Sequence, residues 1–194
     1  MPQVKLPDGT KLTVAAGSTF ADLAAQIGPN LAKAAIAAVA NGRIVDLGSR
    51  IENDCDVRIL TPKTDDEDSL HVLRHSCAHV MAEAICRLFP EAKLVYGPAV
   101  DNGFYYDIDL DRPLTPEDFP AIEEAMAQIV GEDRPFTRVD MPREEAMSKL
   151  RSEGNRYKID NAERAEGDTL SFYVTGTRRG RDFEDLCRGP HVPS

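Results

Sequence analysis

The stretch Gln-Val-Lys-Leu-Pro-Asp-Gly-Thr-Lys-Leu-Thr-Val-Ala at residues 3–15 predicts that the chain begins with a β-hairpin. Two short strand-like runs, 3–6 and 11–15, flank the tripeptide Pro7-Asp8-Gly9. Each residue of this tripeptide favours turn geometry, and a short glycine-containing turn between two such runs is typical of antiparallel strands. The fold is therefore expected to start as a sheet.

One helix and further strands complete this first region. The Ser-Thr pair at residues 18–19 can cap a helix that Gly28-Pro29 stops. Residues 39–46 contain a second tight turn at Asn-Gly, and residues 56–60 are typical of a last strand. This order of elements predicts a β-grasp (ubiquitin-like) sheet packed on one helix, at residues 1–62.

A long helix is predicted after an acidic linker at residues 63–69. The linker has no apolar residue to bury and ends in Ser69, a good helix cap. Pro90 should end the helix at about Phe89, because proline cannot continue the backbone hydrogen-bond ladder. Apolar residues recur at three- and four-residue steps along one face of this helix, and three histidines lie on an adjoining stripe.

Beyond Pro90, strand-like and helix-like segments alternate. Aromatic and β-branched runs predict strands, whereas cap residues followed by proline predict helix starts. The predicted strands are 103–109, 157–160 and 170–174, and the predicted helices are 116–130 and 142–150. The sequence thus predicts an α+β chain whose second domain, at residues 63–194, is a larger two-layer α/β domain.

The composition is that of a globular chain, with 194 residues of which 42% are hydrophobic and 29% charged. Residues 1–62 hold six basic and six acidic residues, so residues 63–194 carry the whole formal charge of −10. This charge argues against nonspecific binding of nucleic acid, which is itself a polyanion. Contact with RNA would need a local patch, and a solvated charged loop is the alternative for its candidates. Those candidates are Arg178, Arg179, Arg181 and Arg188.

No segment has the roughly 20 consecutive apolar residues of a membrane span, and the N-terminus lacks the pattern of a signal peptide. We therefore expect no membrane partner and a cytoplasmic location. Cysteines stay reduced in that compartment, and Cys55, Cys77 and Cys86 are expected to be structural thiols.

Four histidine and cysteine residues suggest a functional site. His75 and His79 are four residues apart, which places two imidazoles on one face of the predicted helix about 6 Å apart. Cys187 and His191 have the same spacing far downstream. Four such ligands suit Zn²⁺, but a saturated ion would have no open position for catalysis. A metal-free site in which imidazoles and a thiol polarise a water molecule is the other interpretation.

Lys158 and Tyr106 are further candidates. Lys158 could stabilise an oxyanion or fix a substrate hydroxyl, and Tyr106 could donate a hydrogen bond near the same pocket. A surface lysine and a tyrosine that only packs its ring in a strand are the alternatives.

Three motifs together closely resemble the N-terminal region of bacterial threonyl-tRNA synthetase. They are Arg74-His75-Ser76-Cys77-Ala78-His79, the segment from Gly97-Pro98 through Asp101-Asn102-Gly103-Phe104-Tyr105-Tyr106-Asp107, and Asp185-Leu186-Cys187-Arg188-Gly189-Pro190-His191-Val192-Pro193. The resemblance covers essentially the whole chain. It implies a TGS domain at residues 1–62 and an editing domain at residues 63–194 that hydrolyses the mischarged product seryl-tRNA(Thr).

The resemblance also implies roles for individual residues. His75 and Lys158 would position and activate the attacking water, and Cys187 and His191 would bind the seryl moiety and the terminal adenosine. His79 would support the pocket. The further pocket residues would be Tyr106 and Asp185.

Editing of this kind is expected to need no cofactor. The threonyl editing site looks metal-independent, whereas related alanyl-type editing domains use zinc, so zinc is the less favoured alternative. Its ligands would be His75, His79, Cys187 and His191. The implied partners are the acceptor end of tRNA(Thr) and its seryl-adenosine moiety.

The remaining functions of the synthetase are expected to lie outside this chain. The ATP site, a zinc ion and the homodimer interface would belong to its aminoacylation and anticodon-binding domains, and the editing domain is expected to be incomplete at its C-terminal end. Two alternatives stand beside this reading. The chain could be a catalytically silent tRNA-positioning or regulatory module, or a zinc-dependent hydrolase of another substrate.

Overall fold

The computed structural model describes residues 1–63, 65–176 and 182–194. The chain forms two compact units: Met1–Leu73 with Gly189–Pro193, and Arg74–Arg188 with Ser194. Three of the four arginines of the candidate patch, Arg178, Arg179 and Arg181, lie outside the described residues. Within the described residues, no helix combines the length and the apolar character needed to cross a membrane.

A five-stranded sheet with two short helices makes up most of the first unit. Its strands are β1 (Gln3–Lys5), β2 (Lys11–Thr13), β3 (Ala37–Ala40), β4 (Arg43–Val45) and β5 (Cys55–Leu60), in the order β2-β1-β5-β3-β4. The helices are α1 (Phe20–Ile27) and α2 (Pro29–Ala34). β1 and β2 form the predicted antiparallel hairpin, and β1 pairs with β5 in parallel. The predicted β-grasp fold is confirmed.

Local chemistry explains these elements. Thr19 and Asp22 form a capping box at the start of α1: the Asp22 N–H donates to the Thr19 hydroxyl at 3.2 Å, and the Thr19 N–H donates to the Asp22 carboxylate at 2.8 Å. Asn41 and Gly42, between β3 and β4, both have positive φ, as the predicted Asn-Gly turn requires. The core behind the sheet contains Val4, Leu23 and Ala38, all fully buried.

Helix α3 (Glu67–Leu88) begins earlier than the sequence predicts. Ser69 is fully buried inside the helix instead of capping it, and its backbone N–H donates to the Asp66 carboxylate at 3.2 Å. An aspartate before the first turn thus takes the capping role that we assigned to serine. The division between the units falls inside α3, later than the predicted boundary at residue 62, because Val72 packs on Leu60 in the core of the first unit.

Among its described residues, the second unit contains seven strands and the helices that follow α3. The strands are β6 (Lys93–Tyr96), β7 (Ala99–Val100), β8 (Gly103–Phe104), β9 (Asp107–Asp109), β10 (Phe136–Pro142), β11 (Thr169–Thr175) and β12 (Phe183–Leu186). The helices are α4 (Phe119–Gly131), α5 (Arg143–Glu153) and α6 (Arg156–Arg164), with a 3₁₀ turn at Pro116–Asp118 before α4. β10, β11 and β12 form an antiparallel sheet, and β6-β9 and β7-β8 are two-stranded. Helices and sheets are mixed as expected for an α+β chain.

Two predictions of secondary structure are wrong. Residues 157–160 belong to helix α6, because the Asn155 side chain accepts from the N–H groups of Tyr157 and Lys158 and so caps a helix. A run of four residues fits either the helix or the strand periodicity, and here the cap decides. Residues 103–109 form two strands instead of one, since the ladder breaks at Tyr105 and Tyr106 between β8 and β9.

Two apolar clusters hold the second unit together. Ile85 on α3 packs with Ile122 and Ile129 on α4, whereas Leu150 on α5 packs with Phe172 on β11. All five side chains are buried.

A buried ion pair lies beside the first of these clusters. Glu83 on α3 has a side chain that is 2% exposed, and its Oε1 accepts from Arg87 at 2.7 Å and from Arg134 at 2.5 Å. Arg134 also donates to the backbone carbonyl of Thr175 at 2.5 Å, at the end of β11. Arg134 therefore joins helix α3 to the sheet.

We predict that Arg134→Ala destabilises the second unit by about 3 kcal/mol, because it leaves Glu83 buried with one fewer cationic partner. The five tyrosines all lie within residues 74–188 and the chain has no tryptophan, so tyrosine fluorescence during urea unfolding reports on this unit alone.

Arg112→Ala is the matched control, since Arg112 pairs with Asp118 at 2.7 Å but is 54% exposed at its side chain. Solvent screens such a pair, and the urea midpoint should change little. Equal destabilisation by the two substitutions would contradict the role of Arg134.

Candidate functional site

Strand β12 and the residue after its end carry two of the predicted site residues. Asp185 pairs with Tyr173 in the β11-β12 ladder. Cys187 continues this pairing, because its N–H donates to the Ser171 carbonyl at 3.1 Å and its carbonyl accepts from the Ser171 hydroxyl at 2.6 Å. Residues two apart on an extended strand project to the same side, so the sheet presents Asp185 and Cys187 together.

The Cys187 thiol contacts an imidazole from helix α3. Cys187 Sγ lies 3.2 Å from His75 Nε2, within hydrogen-bonding distance for sulfur, and both residues are half-buried. The two residues are separated by 112 positions in the chain. The structure thus brings together one histidine of the helical pair and the cysteine of the distant pair.

Asp185 is the centre of a second group of contacts. The Lys158 ammonium lies 2.7 Å from Asp185 Oδ1, and the Tyr106 hydroxyl donates to Asp185 Oδ2 at 2.5 Å. Lys158 Nζ also lies 3.2 Å from the Tyr106 hydroxyl oxygen. Lys158 is 6% exposed and Asp185 is 8% exposed, so this ion pair is buried. Burial and the Asp185 carboxylate raise the pKa of Tyr106, which keeps it a hydrogen-bond donor.

Helix α6, which carries Lys158, is fixed by three side-chain contacts to the paired strands β6 and β9. Asn155 donates to the Leu94 carbonyl at 3.0 Å, and Asn161 donates to the Val95 carbonyl at 2.7 Å. The Tyr157 hydroxyl donates to the Asp109 carboxylate at 3.0 Å. Because backbone and side-chain groups on both strands hold the helix, the Lys158 ammonium has a defined position.

Gly97 leaves free the space that the Tyr106 ring occupies. A Cβ atom at residue 97 would lie 2.2 Å from the ring of Tyr106, far inside van der Waals contact. Only glycine permits this approach. The motif Gly97-Pro98 therefore contributes to the site through the absence of a side chain.

His79 lies deeper in the same unit. Its ring packs edge-on against Phe136 and Phe183, with centroid distances of 5.2 Å and 4.9 Å, and the residue is 3% exposed. Burial lowers the pKa of His79 to about 4, against a smaller opposing effect of the Asp185 carboxylate. His75 and Lys158 add to the lowering. His79 is thus a neutral imidazole at pH 7, placed within electrostatic range of all three groups.

His191 belongs to the first unit, where it is 2% exposed. Its backbone N–H donates to the Asp46 carboxylate at 3.1 Å, and the peptide bond between Gly189 and Pro190 before it is cis. Its part in the site stays a prediction. His71, for which the sequence suggests no role, is exposed on α3.

A cavity of about 510 Å³ borders the Lys158–Asp185 pair. Its wall also includes Cys86, Lys149 and Glu184. Burial raises the pKa of Cys86 to about 11 and raises the pKa values of Cys77 and Cys55 as well. All three residues are half-buried, and thiols that stay protonated are what we expect of structural cysteines.

In the second unit, His75 Nε2 and Cys187 Sγ are adjacent donor atoms of the kinds that bind zinc. Their separation of 3.2 Å matches a hydrogen bond. Two such ligands on one tetrahedral zinc would stand about 3.6 Å apart, given zinc–ligand bonds of about 2.1 and 2.3 Å. A modest separation of the two side chains would therefore be needed to admit the ion.

Several residues that build the site are not among those that the sequence predicts. Asn155 was hidden by the prediction of a strand at 157–160, although asparagine before a four-residue apolar and basic run is a cap signal. Ser171 and Phe183 act through strand register, which the sequence does not specify. Gly97 lies in the Gly97-Pro98 motif, but its close approach to Tyr106 depends on tertiary contacts.

Comparison with known proteins adds a family context. Residues 2–61 match the model of the TGS domain. Along its length, the chain is 49% identical to a threonine–tRNA ligase of Symbiobacterium thermophilum over 98% of the chain and 28% of that protein. It is 46% identical to the threonine–tRNA ligases of Pelobacter propionicus and a Janthinobacterium species, over 98% and 100% of the chain. The chain spans 28% to 30% of the length of these three relatives.

We predict that Gly97→Ala destabilises the second unit by about 1–3 kcal/mol, because the added methyl group must displace the Tyr106 ring from its contacts. Gly131→Ala, at the end of α4, is the control, since a Cβ there meets no atom within 4 Å. This control should raise stability by about 0.5–1 kcal/mol, as alanine restricts the unfolded chain. Urea unfolding followed by tyrosine fluorescence measures both, and stabilisation by Gly97→Ala would contradict the close approach.

A further prediction concerns pH. Because the folded-state pKa of His79 is about 4 and the ordinary pKa of histidine is 6.5, the unfolded chain takes up a proton between these pH values while the folded chain does not. The second unit should therefore lose stability as pH falls from 6.5 to 4, by of order 3 kcal/mol from this group.

The substitution His79→Asn removes the titrating ring. We expect it to lower stability at neutral pH through lost packing, yet to flatten the dependence between pH 6.5 and 4. Urea unfolding across that range measures both chains, and parallel curves would contradict a neutral buried His79.

Proposed function

We propose, for a chain that is related along its whole length to threonine–tRNA ligases and begins with a TGS domain, that its second unit is a proofreading site. The reaction is hydrolysis of the ester in seryl-tRNA(Thr), which yields free serine and tRNA(Thr). The observation that carries the proposal is the approach of Cys187 Sγ to His75 Nε2, beside the buried Lys158–Asp185–Tyr106 group.

The chemistry needs a water molecule close to a base. An imidazole titrates near neutral pH and suits this task, and His75 is half-buried where substrate can reach it. His75, with Lys158, positions and activates the attacking water. His79 cannot share this role at neutral pH because its pKa is about 4, so it supports the pocket as a neutral ring.

Attack by water on the ester carbonyl places negative charge on the carbonyl oxygen. Lys158 is a cation in a buried setting, where a fixed charge stabilises an oxyanion more strongly than in water. Asp185 and Tyr106 hold the ammonium by contacts at 2.7 and 3.2 Å. Collapse of the tetrahedral intermediate breaks the bond to the ribose oxygen, which takes up a proton as serine leaves.

Substrate recognition falls to the remaining residues. Cys187 and His191 bind the seryl moiety and the terminal adenosine, and Tyr106 and Asp185 complete the pocket. Serine lacks one methyl group of threonine, and a single methyl offers about 1–3 kcal/mol of discrimination at a synthetic site. A second site that admits serine and excludes the methyl by close walls would remove the resulting errors.

We propose that the aminoacylation activity of the relatives belongs to the parts of those proteins that this chain does not span. Attachment of threonine to tRNA(Thr), with its ATP, would take place there. The proposed partner of this chain is the acceptor end of tRNA(Thr), with the TGS domain as a further contact surface for RNA.

A zinc-dependent hydrolase is the second candidate, favoured by the adjacent His75 and Cys187 donor atoms. Stoichiometric zinc in the purified chain, with hydrolysis lost on chelation, would support this candidate against a metal-free site. If the chain is instead a catalytically silent tRNA-positioning module, no hydrolysis is expected with or without metal.

We predict that His75→Ala and Cys187→Ala each abolish hydrolysis of seryl-tRNA(Thr) by the chain, since one removes the water-activating imidazole and the other its partner. The measurement is release of serine from labelled seryl-tRNA(Thr), with threonyl-tRNA(Thr) as the substrate that should survive. His71→Ala removes an exposed imidazole from the same helix and should retain activity.

Retained hydrolysis in both site variants would refute the assignment of these residues. Equal hydrolysis of seryl- and threonyl-tRNA(Thr) by the unaltered chain would refute proofreading.

A further inference from the structure

The face of the β10-β11-β12 sheet that carries Asp185 and Cys187 also carries an arginine. The ladders place Arg138 opposite Tyr173, and Tyr173 opposite Asp185. Residues directly opposite in antiparallel strands project to the same face, so these three side chains form one row across the sheet. Two ladder steps put the Cα atoms of Arg138 and Asp185 about 10 Å apart.

The Arg138 guanidinium extends along this face toward the end at which Cys187 lies. Its Nη1 is 3.5 Å from the Tyr173 hydroxyl oxygen and 3.5 Å from the carbonyl oxygen of Arg188, the residue after Cys187. The guanidinium carbon lies 6.0 Å from the centre of the Tyr173 ring. Since Tyr173 is only 1% exposed, its ring is a fixed support for the cation. A positive charge thus lies beside the main chain at the residue that follows the site cysteine.

The printed contacts of this guanidinium are weak. Arg138 Nε donates to the Asp140 carboxylate at 3.0 and 3.2 Å, but the two side chains are 42% and 55% exposed, and solvent screens such a pair. The two Nη1 contacts at 3.5 Å are longer than the usual distance of about 2.7–3.2 Å. An anion that arrives from solvent can therefore compete for the guanidinium, whose paired N–H groups match the oxygens of a phosphate.

The charge of the chain makes such a contact important for an RNA substrate. Residues 63–194 carry the whole formal charge of −10, which repels a polyanion. The acceptor end of tRNA must nonetheless bring its terminal ester to the second unit if the ester is hydrolysed there. The phosphate on the 5′ side of the terminal adenosine is the RNA charge nearest to that ester. Arg138 is a cation on the sheet face that carries Asp185 and Cys187.

We infer that Arg138 binds a phosphate of the single-stranded acceptor end of tRNA, next to the nucleoside that carries the ester. The inference rests on the proposed function. It assigns a phosphodiester subsite to the β10 side of the candidate site. Arg188, a residue of the predicted RNA-binding patch, contributes its backbone carbonyl to this subsite.

The test compares Arg138→Ala and Arg138→Lys in the full chain. Lysine keeps the positive charge but lacks the forked N–H groups of arginine. Arg112→Ala is the matched control. Arg112 also pairs with an aspartate on the surface of the second unit, Asp118 at 2.7 Å, and its side chain is 54% exposed.

The first readout is binding of a dye-labelled oligoribonucleotide that consists of the four 3′-terminal nucleotides of tRNA(Thr), measured by fluorescence anisotropy. Arg138→Ala should bind it about tenfold more weakly, as expected for loss of one charge-assisted contact. The plot of log affinity against log salt concentration should become shallower by about 0.7, the value for one phosphate on a single strand. Arg138→Lys should keep the slope of the unaltered chain, and Arg112→Ala should keep both affinity and slope. An unchanged slope in Arg138→Ala, or no binding by the unaltered chain, overturns the inference.

The second readout is the ratio of kcat/KM for seryl-tRNA(Thr) to kcat/KM for seryl-adenosine, which has no phosphate. This ratio should fall about tenfold in Arg138→Ala and stay the same in Arg112→Ala. A distorted site would slow both substrates together, so an unchanged ratio in Arg138→Ala also overturns the inference. If the unaltered chain hydrolyses neither substrate, the proposed function is refuted, while oligonucleotide binding still decides whether Arg138 holds a phosphate.

Discussion

The buried contact between Lys158 and Asp185 is the constraint on which the candidate site depends. Removing two charges from water costs several kcal/mol for each ion, and only close pairing with further hydrogen bonds offsets that cost. Asp185 meets the requirement with Lys158 at 2.7 Å and the Tyr106 hydroxyl at 2.5 Å. The three residues lie on different elements: Lys158 on helix α6, Tyr106 in the β8-β9 connection and Asp185 on strand β12. The three elements must therefore meet at one point for any of these side chains to be buried.

The first unit follows closely from the sequence, because its signals are local. Alternating residues, the Pro-Asp-Gly turn and the Asn41-Gly42 turn each specify their own geometry, and together they leave little choice beyond a β-grasp sheet. Helix α6 shows where local signals fail. The run at 157–160 has too few residues to distinguish two periodicities, and the deciding cap at Asn155 acts jointly with contacts of α6 to Leu94 and Val95.

The sequence predicts which residues belong to the candidate site better than it predicts how they are arranged. Helical spacing placed His75 and His79 near one another, but it presented them as equivalent ligands. The structure separates them: His75 contacts Cys187, whereas His79 packs between Phe136 and Phe183. Spacing describes one helix, while the difference between the two imidazoles comes from what other strands place around them. Gly97 is a similar case, since only the position of the Tyr106 ring reveals the need for glycine there.

Burial also explains how two histidines on one helix can have different roles. In the proposed reaction, a low-dielectric surrounding would strengthen the effect of the Lys158 cation on a developing oxyanion. The same surrounding disfavours a charged imidazole. His79 is only 3% exposed, so the cost of removing a charged imidazole from water is large and its pKa falls to about 4. His75 is only half-buried, so solvent can reach it. Burial depth thus distinguishes an imidazole enclosed by aromatic rings from one that solvent can reach.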